Sequence, residues 1–113
     1  MPIATCYLSR HLATKAQHSS DLVKHWSEHS ISCAEEMTIN LVSIEQQFGK
    51  QYTIMAQLLL PSIWSTQDIS LLQLGLSKAL ASYFETREEC ILVTTNIIES
   101  GLVVESGEIV NWQ

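Results

Sequence analysis

The sequence predicts an α/β (α+β) two-layer sandwich, in which a four-stranded mixed sheet carries two helices on one face and is followed by a C-terminal hairpin. Three observations lead to this prediction. A strand-like run, an amphipathic stretch and a second strand-like run follow one another in residues 2–45, and the same order returns in residues 52–98. The last apolar stretch, residues 102–112, contains Ser106-Gly107, a pair typical of a hairpin turn. The chain of 113 residues has the length of a single domain, residues 1–113.

The first unit begins with residues 2–9, a short apolar and β-branched run that predicts strand one. Thr14 and Gln17 have the spacing of a capping box, so a helix is expected over about residues 15–32. Residues 37–45 alternate between apolar and polar side chains, and this period of two predicts strand two.

The second unit has the same layout. Residues 52–60 predict strand three, which ends at Pro61, and residues 90–98 predict strand four. Ser65 and Thr66 are suited to cap a helix between these strands. The apolar stripe of that helix consists of Ile69, Leu72, Leu76, Ala79, Leu80 and Tyr83. Because each helix joins two strands of one unit, each unit is expected to be a parallel crossover.

Strand three is apolar on both faces, which a sheet with one face in water does not favour. Charged residues make up only 16% of the chain, a small share for a protein of this size. We therefore expect the sheet face without helices to be buried against other copies of the chain, with the hairpin of residues 102–112 reaching across the interface.

The composition excludes several classes of protein. The net charge of −6 argues against nucleic-acid and anionic-membrane partners, since both bind basic surfaces. No apolar run is long enough for a membrane span, and three widely spaced cysteines without a CxxC motif indicate reduced thiols, so a cytoplasmic protein is expected. His25 and His29 have the spacing of a metal pair, but no third ligand accompanies them, and we predict neither a metal nor a cofactor.

The opening MPIATCYLS, placed before a duplicated β-α-β layout, resembles the tautomerase superfamily, which includes 4-oxalocrotonate tautomerase (4-OT) and macrophage migration inhibitory factor (MIF). Residues 22–28 resemble the first helix of the short tautomerases. Phe48-Gly49 and residues 95–97 resemble the longer MIF-like branch. The resemblance implies a homotrimer with active sites between subunits and sheets facing its centre.

The resemblance also implies a role for Pro2. When Met1 is removed, Pro2 becomes a terminal secondary amine, and removal is plausible because the second residue is small. An α-amino group has a pKa of roughly 7.7 to 8.0, and an apolar pocket lowers it. Such an amine can move a proton between a carbon beside a carbonyl and another position, which is tautomerase chemistry. If Met1 is retained, the Pro2 nitrogen is an amide and cannot act as a base.

Four further residues are candidates for binding the substrate. Arg10 follows strand one, near the place where the short tautomerases have an arginine, and Asn96 aligns roughly with a pocket asparagine of the family. Tyr52 and Trp112 are candidates to line the pocket, and each is equally suited to plain packing.

The chain has only two arginines, so a dianionic substrate is not expected. A monoacid, a neutral carbonyl compound or a phenylpyruvate-like compound fits better. The first hypothesis is a tautomerase or isomerase that acts on a small carbonyl or 2-oxo acid substrate. The alternative is a non-catalytic module of the same fold that binds a ligand or another protein, with Pro2 merely beginning an edge strand.

Overall fold

A computed structural model describes residues 1–15, 19–30 and 32–112. Within these residues, six strands and two α-helices follow one another as β1 (Ile3–Leu8), α1 (Ser19–Glu28), β2 (Thr38–Ser43), β3 (Ile54–Pro61), α2 (Thr66–Phe84), β4 (Ile91–Ile98), β5 (Val103–Glu105) and β6 (Glu108–Val110). Short 3-10 turns lie at Arg10–Lys15, Ala34–Glu36 and Glu88–Cys90. Within the described part of the chain, no helix combines the length and the apolar character that a membrane crossing requires.

The four longer strands form one mixed sheet in the order β2-β1-β3-β4. Strand β1 is parallel to β2, β3 is parallel to β4, and the two central strands β1 and β3 are antiparallel. Each helix therefore connects two parallel neighbours, as expected for two β-α-β crossovers. The predicted two-layer fold with two helices and a four-stranded mixed sheet is confirmed.

The first helix differs from its prediction. Residues 16–18 lie outside the described residues, and residues 10–15 form a 3-10 turn, so the capping-box start near Lys15 is not seen. The helix ends at Glu28 and not near Ser32. Near this end, the hydroxyls of Ser27 and Ser30 donate to the carbonyls of Lys24 and Trp26 at 2.7 and 3.0 Å. Such local bonds compete with continued helix.

The second helix follows its pattern closely. Ser65 is its N-cap and accepts a hydrogen bond from the Asp68 backbone N–H at 3.1 Å. Glu85 ends the helix in the left-handed conformation. Of the predicted stripe, Leu72, Leu76, Ala79 and Leu80 are buried, while Ile69 and Tyr83 are partly buried against the core.

Both helices cover the same face of the sheet, where their apolar side chains meet those of β1 and β3 in one core. Trp26 of α1 is fully buried, and its indole N–H donates to the Leu72 carbonyl of α2 at 3.0 Å. Alternation along β1 and β3 sends every second residue into this core, including Cys6 and Leu58.

The opposite face of the sheet has no helix in one chain and consists of rows that cross all four strands. One row is apolar throughout and contains Val42, Tyr7, Met55 and Leu92. The next row is polar throughout and contains Asn40, Thr5, Gln57 and Thr94. Of the apolar β3 residues on the open face, Met55 and Leu59 are half-buried, and Pro61 at the end of the strand is buried.

The C-terminal hairpin forms a separate two-stranded sheet. Its turn has positive φ at both Ser106 (54°) and Gly107 (77°), the geometry of the tight turns that match the twist of hairpin strands. Its side chains Val104 and Ile109 are 68% and 63% exposed.

Candidate active site

A cavity of about 260 Å³ lies beside the start of the chain. Strand directions explain why several elements meet there: β1 and β2 begin at this end of the sheet, whereas β3 and β4 end at it. The hairpin after β4 supplies the remaining wall. The cavity is lined by Met1, Glu36, Pro61, Ile63, Glu105, Val110 and Trp112.

Pro2 is held firmly at this end of β1. Its side chain is fully buried, and its carbonyl accepts a hydrogen bond from the Thr38 N–H at 3.0 Å. The Pro2 nitrogen is bonded to Met1, and Met1 lines the cavity. Removal of Met1 would therefore leave a secondary amine at the edge of this space and would enlarge it.

Trp112 is fixed as one wall of the cavity through both of its N–H groups. The backbone N–H donates to the Ser100 hydroxyl at 2.8 Å, and the indole N–H donates to the Ser62 hydroxyl at 3.0 Å. Ser62 directly follows β3, and Ser100 lies just after β4. The indole ring is thus held by the ends of the two strands that point at the cavity.

Asn96 lies at the same end of the sheet as Pro2. In the register of the strands it shares one row with Leu59 and Ile3. It projects from the open face, because its neighbour Thr95 accepts a hydrogen bond from Gln73 of α2 on the helix face at 2.7 Å. Asn96 is exposed and is not among the residues that line the cavity within one chain.

Arg10 and Tyr52 lie at the opposite end of the sheet. The six-residue strand β1 separates Arg10 from Pro2 by about 20 Å. Arg10 lines a second cavity of about 150 Å³ with Ser9, Ile44, Glu45, Gln46, Gln47 and Gln51. The backbone N–H of Tyr52 donates to the Gln47 side-chain oxygen, and the Gln47 amide group donates to the Tyr52 carbonyl. The Lys50 ammonium lies 5.4 Å from the centre of the Tyr52 ring. Within one chain, the predicted substrate-binding residues are thus divided between two ends.

The two carboxylates at the Pro2 cavity were not predicted as site residues. Glu36 lies in the 3-10 turn before β2, and Glu105 ends β5. No local pattern relates the two positions. Their shared location follows from the chain reversals between them.

The cysteines do not contribute reactive groups to either cavity. All three are free. Burial among apolar side chains raises the pKa of the Cys6 thiol from 9.0 to about 12, so this thiol stays protonated and inert at neutral pH. Among the described residues, no group of three His, Cys, Asp or Glu side chains is placed to hold a metal ion.

Comparisons of the whole chain with solved structures identify its fold. A fused 4-OT, solved as an asymmetric trimer, is 17% identical, covers 95% of this chain and 94% of its own, and superposes with a TM-score of 0.78. A member of the cis-3-chloroacrylic acid dehalogenase family is 12% identical over 96% of this chain and 82% of its own, with a TM-score of 0.73. MIF from Toxoplasma gondii is 13% identical over 96% of this chain and 97% of its own, with a TM-score of 0.61.

The chain therefore has the tautomerase-superfamily fold, as its opening residues and duplicated layout predicted. No protein-family model matches the sequence, and a search of curated proteins found no match either.

Proposed function

We propose that the protein is a keto–enol tautomerase or isomerase of small carbonyl compounds, with the Pro2 amine, released by removal of Met1, as its general acid and base. One observation carries the proposal: the residue bonded to the Pro2 nitrogen lines a cavity of about 260 Å³ whose walls include an immobilised indole. The fold shared with 4-OT and MIF structures supports the same chemistry.

The Pro2 nitrogen takes a proton from the carbon beside the carbonyl, and the electron pair of that C–H bond becomes the C=C bond of the enol. The π pair of the C=O bond moves to the oxygen, which takes a proton from water. The hydroxide left by that water takes the proton from the Pro2 ammonium, so that the amine is restored. In the reverse direction, the Pro2 ammonium returns the proton to carbon. An α-amino group suits both directions because its pKa lies near neutral pH.

In this proposal Trp112 packs against the apolar part of the substrate. Asn96 lies on the open face, at the same end of the sheet as Pro2. Arg10 and Tyr52 lie outside the site of their own chain. The proposal needs no cofactor.

We further propose a homotrimer that buries the open sheet face. The apolar row of Val42, Tyr7, Met55 and Leu92 supports this assembly, as do the exposed apolar side chains of the hairpin. A similar solved structure is itself a trimer. A stable monomer in sedimentation equilibrium would contradict the assembly.

A cytoplasmic location is supported by the exposed free thiol of Cys33.

The first experiment is the intact mass of protein purified from its native cells. The proposal requires a mass that lacks Met1. Enolisation of phenylpyruvate is then followed by ultraviolet absorbance for the wild type, Pro2→Ala and the control Gln67→Ala, which changes an exposed residue of α2. We expect a loss of roughly 100-fold or more for protein that retains Met1, the range of general acid–base contributions, and no change for Gln67→Ala. An unchanged rate for protein that retains Met1 would show that the Pro2 amine is not the base, because the Pro2 nitrogen is then an amide. Pro2→Ala tests the ring alone, since the substituted residue still carries a terminal α-amine.

A labelling experiment tests the amine directly. A solved structure of similar fold, Pt0534, is described as inactivated by 2-oxo-3-pentynoate. An unprotonated amine adds to such an activated alkyne, so peptide mapping after treatment with this compound or a neutral alkynyl ketone should place the adduct on Pro2. Protein that retains Met1 should give no adduct there.

One observation favours the alternative, a non-catalytic ligand-binding or interaction module. Among the described residues that line the cavity, two are glutamates and none is Lys or Arg. Retention of Met1 in native protein would select this alternative, because the Pro2 nitrogen would then be an amide.

A further inference from the structure

We propose that the polar row of the open sheet face is the element by which one copy of the chain recognises another, so that copies assemble in one register and exclude apolar surfaces. The polar row consists of Asn40, Thr5, Gln57 and Thr94, one residue from each strand of the sheet. This inference rests on the homotrimer proposed above, and it names the side chains of the covered face that decide the partner.

The three rows that cross all four strands on the open face contain no charged side chain. On one side of the polar row lies the apolar row described above, and on the other side lies a row of Thr38, Ile3, Leu59 and Asn96. Charged residues are common on surfaces that stay in water and are depleted at the centre of protein interfaces. The open face therefore has the composition of a surface that another protein chain covers.

The side chains of the polar row have few partners in their own chain. The Thr94 hydroxyl donates to the Ala56 carbonyl at 3.5 Å. The side chains of Asn40, Thr5 and Gln57 form no hydrogen bond with another described residue. Once the face is covered, water no longer solvates these groups, and a buried amide or hydroxyl without a partner costs free energy. The covering surface must therefore supply hydrogen bonds at this row.

The residue types of the polar row make a second copy the partner that satisfies them. Side-chain amides carry both donors and acceptors, and so do hydroxyls. Such groups can bond to the same groups of another copy, which a row made only of carboxylates or only of ammonium groups cannot do. An apolar surface, or a copy shifted by one row, leaves the amides and hydroxyls unpaired. The row thus favours one partner in one register, as a single buried asparagine does in coiled coils.

The first test places a charge in the polar row. Gln57 is exposed in one chain, so Gln57→Glu keeps the fold and adds a carboxylate that the assembly would have to bury. The control Gln67→Glu adds the same charge on the exposed side of α2. In sedimentation equilibrium at neutral pH, the wild type and Gln67→Glu should be trimers. The assembly of Gln57→Glu should be weaker by roughly 100-fold or more, because a buried charge without a partner is costly.

The second test asks whether the polar row selects its partner. The combined variant Thr5→Val, Gln57→Met and Thr94→Val makes three positions of the row apolar. It is co-expressed with the wild type under tags of different mass, and native mass spectrometry counts pure and mixed trimers. Mixed trimers should be rarer than random mixing gives by roughly fivefold or more, because they set polar groups against apolar ones. Met55→Leu, a control in the apolar row, should mix at random with the wild type.

Three results would overturn the inference. Equal assembly of Gln57→Glu and Gln67→Glu would show that the polar row stays in water. Random mixing of the combined variant, or of the single variant Gln57→Met where the combined one is insoluble, would show that the row does not select the partner. Either result with a trimeric wild type leaves the homotrimer intact. A monomeric wild type removes the homotrimer as well and leaves the open face to a different protein.

Discussion

Replacement of Gly75 by alanine tests the contact that brings the two helices together. Gly75 is buried in the middle of α2, and a Cβ built on it would lie 2.7 Å from the His29 carbonyl oxygen and 3.1 Å from two further His29 atoms. The nearest atom belongs to the backbone, so no side-chain rotation can relieve the contact. The backbone N–H of His29 donates a hydrogen bond to the Trp26 carbonyl at 3.1 Å. The indole N–H of Trp26 in turn donates a hydrogen bond to the Leu72 carbonyl of α2.

Two opposing effects decide the size of the change. Alanine is about 1 kcal/mol more favourable than glycine inside a helix. Forcing an extra methyl group into a packed interface costs about 1 to 3 kcal/mol. A distance of 2.7 Å lies well inside van der Waals contact, so we take the upper half of that range and expect a net loss of roughly 1 kcal/mol. For a domain near this size, 1 kcal/mol corresponds to a decrease in Tm of about 4 °C or more.

Thermal unfolding followed by circular dichroism, at one protein concentration, measures the effect. Ser70→Ala is the matched control, because it places alanine on the exposed side of the same helix. It should leave the Tm unchanged or raise it slightly. A Tm for Gly75→Ala equal to or above that of the wild type would refute the reasoning, since α1 would then move away from α2 at no cost.

Three further changes should have defined outcomes. The pKa of Cys6 is about 12 in the folded protein and 9.0 in the unfolded chain, so above pH 9.0 the unfolded state loses this proton first. The free energy of unfolding should therefore fall by roughly 1 kcal/mol per pH unit between these values relative to Cys6→Ala, as urea unfolding at several pH values would show; parallel curves would contradict this. Trp26→Phe leaves the Leu72 carbonyl without its indole donor and should cost about 1 to 3 kcal/mol in urea unfolding. Ser65→Ala removes the acceptor of the Asp68 N–H and should lower stability by about 1 kcal/mol, whereas no loss would mean that water replaces the cap.

The strands and helices could be predicted because their signals are local. Alternation and β-branched residues mark β1 to β4, and the 3.6-residue stripe marks α2. The hairpin turn is equally local, since it is formed by the adjacent residues Ser106 and Gly107, both of which have positive φ. The predicted C-terminal end of α1 was wrong by several residues, because helix ends depend on individual hydrogen bonds such as those of the Ser27 and Ser30 hydroxyls.

The membership of the two cavities could not be read from the sequence. Arg10 is close to Pro2 in sequence, yet an extended strand between them carries it to the far end of the sheet. Glu105 is distant from Pro2 in sequence, yet the hairpin brings it back to the cavity that Met1 lines.

The sequence by itself determined the duplicated β-α-β order and the hairpin, because each depends on neighbouring residues, and it places a proline at position 2. Only the tertiary structure decided which charges and which aromatic ring surround that proline. The physical reason is strand direction: β1 and β2 begin where β3 and β4 end, so residues far apart in sequence share one end of the sheet. Glu36, Glu105 and Trp112 meet there, and the arginine expected to bind a carboxylate lies at the other end.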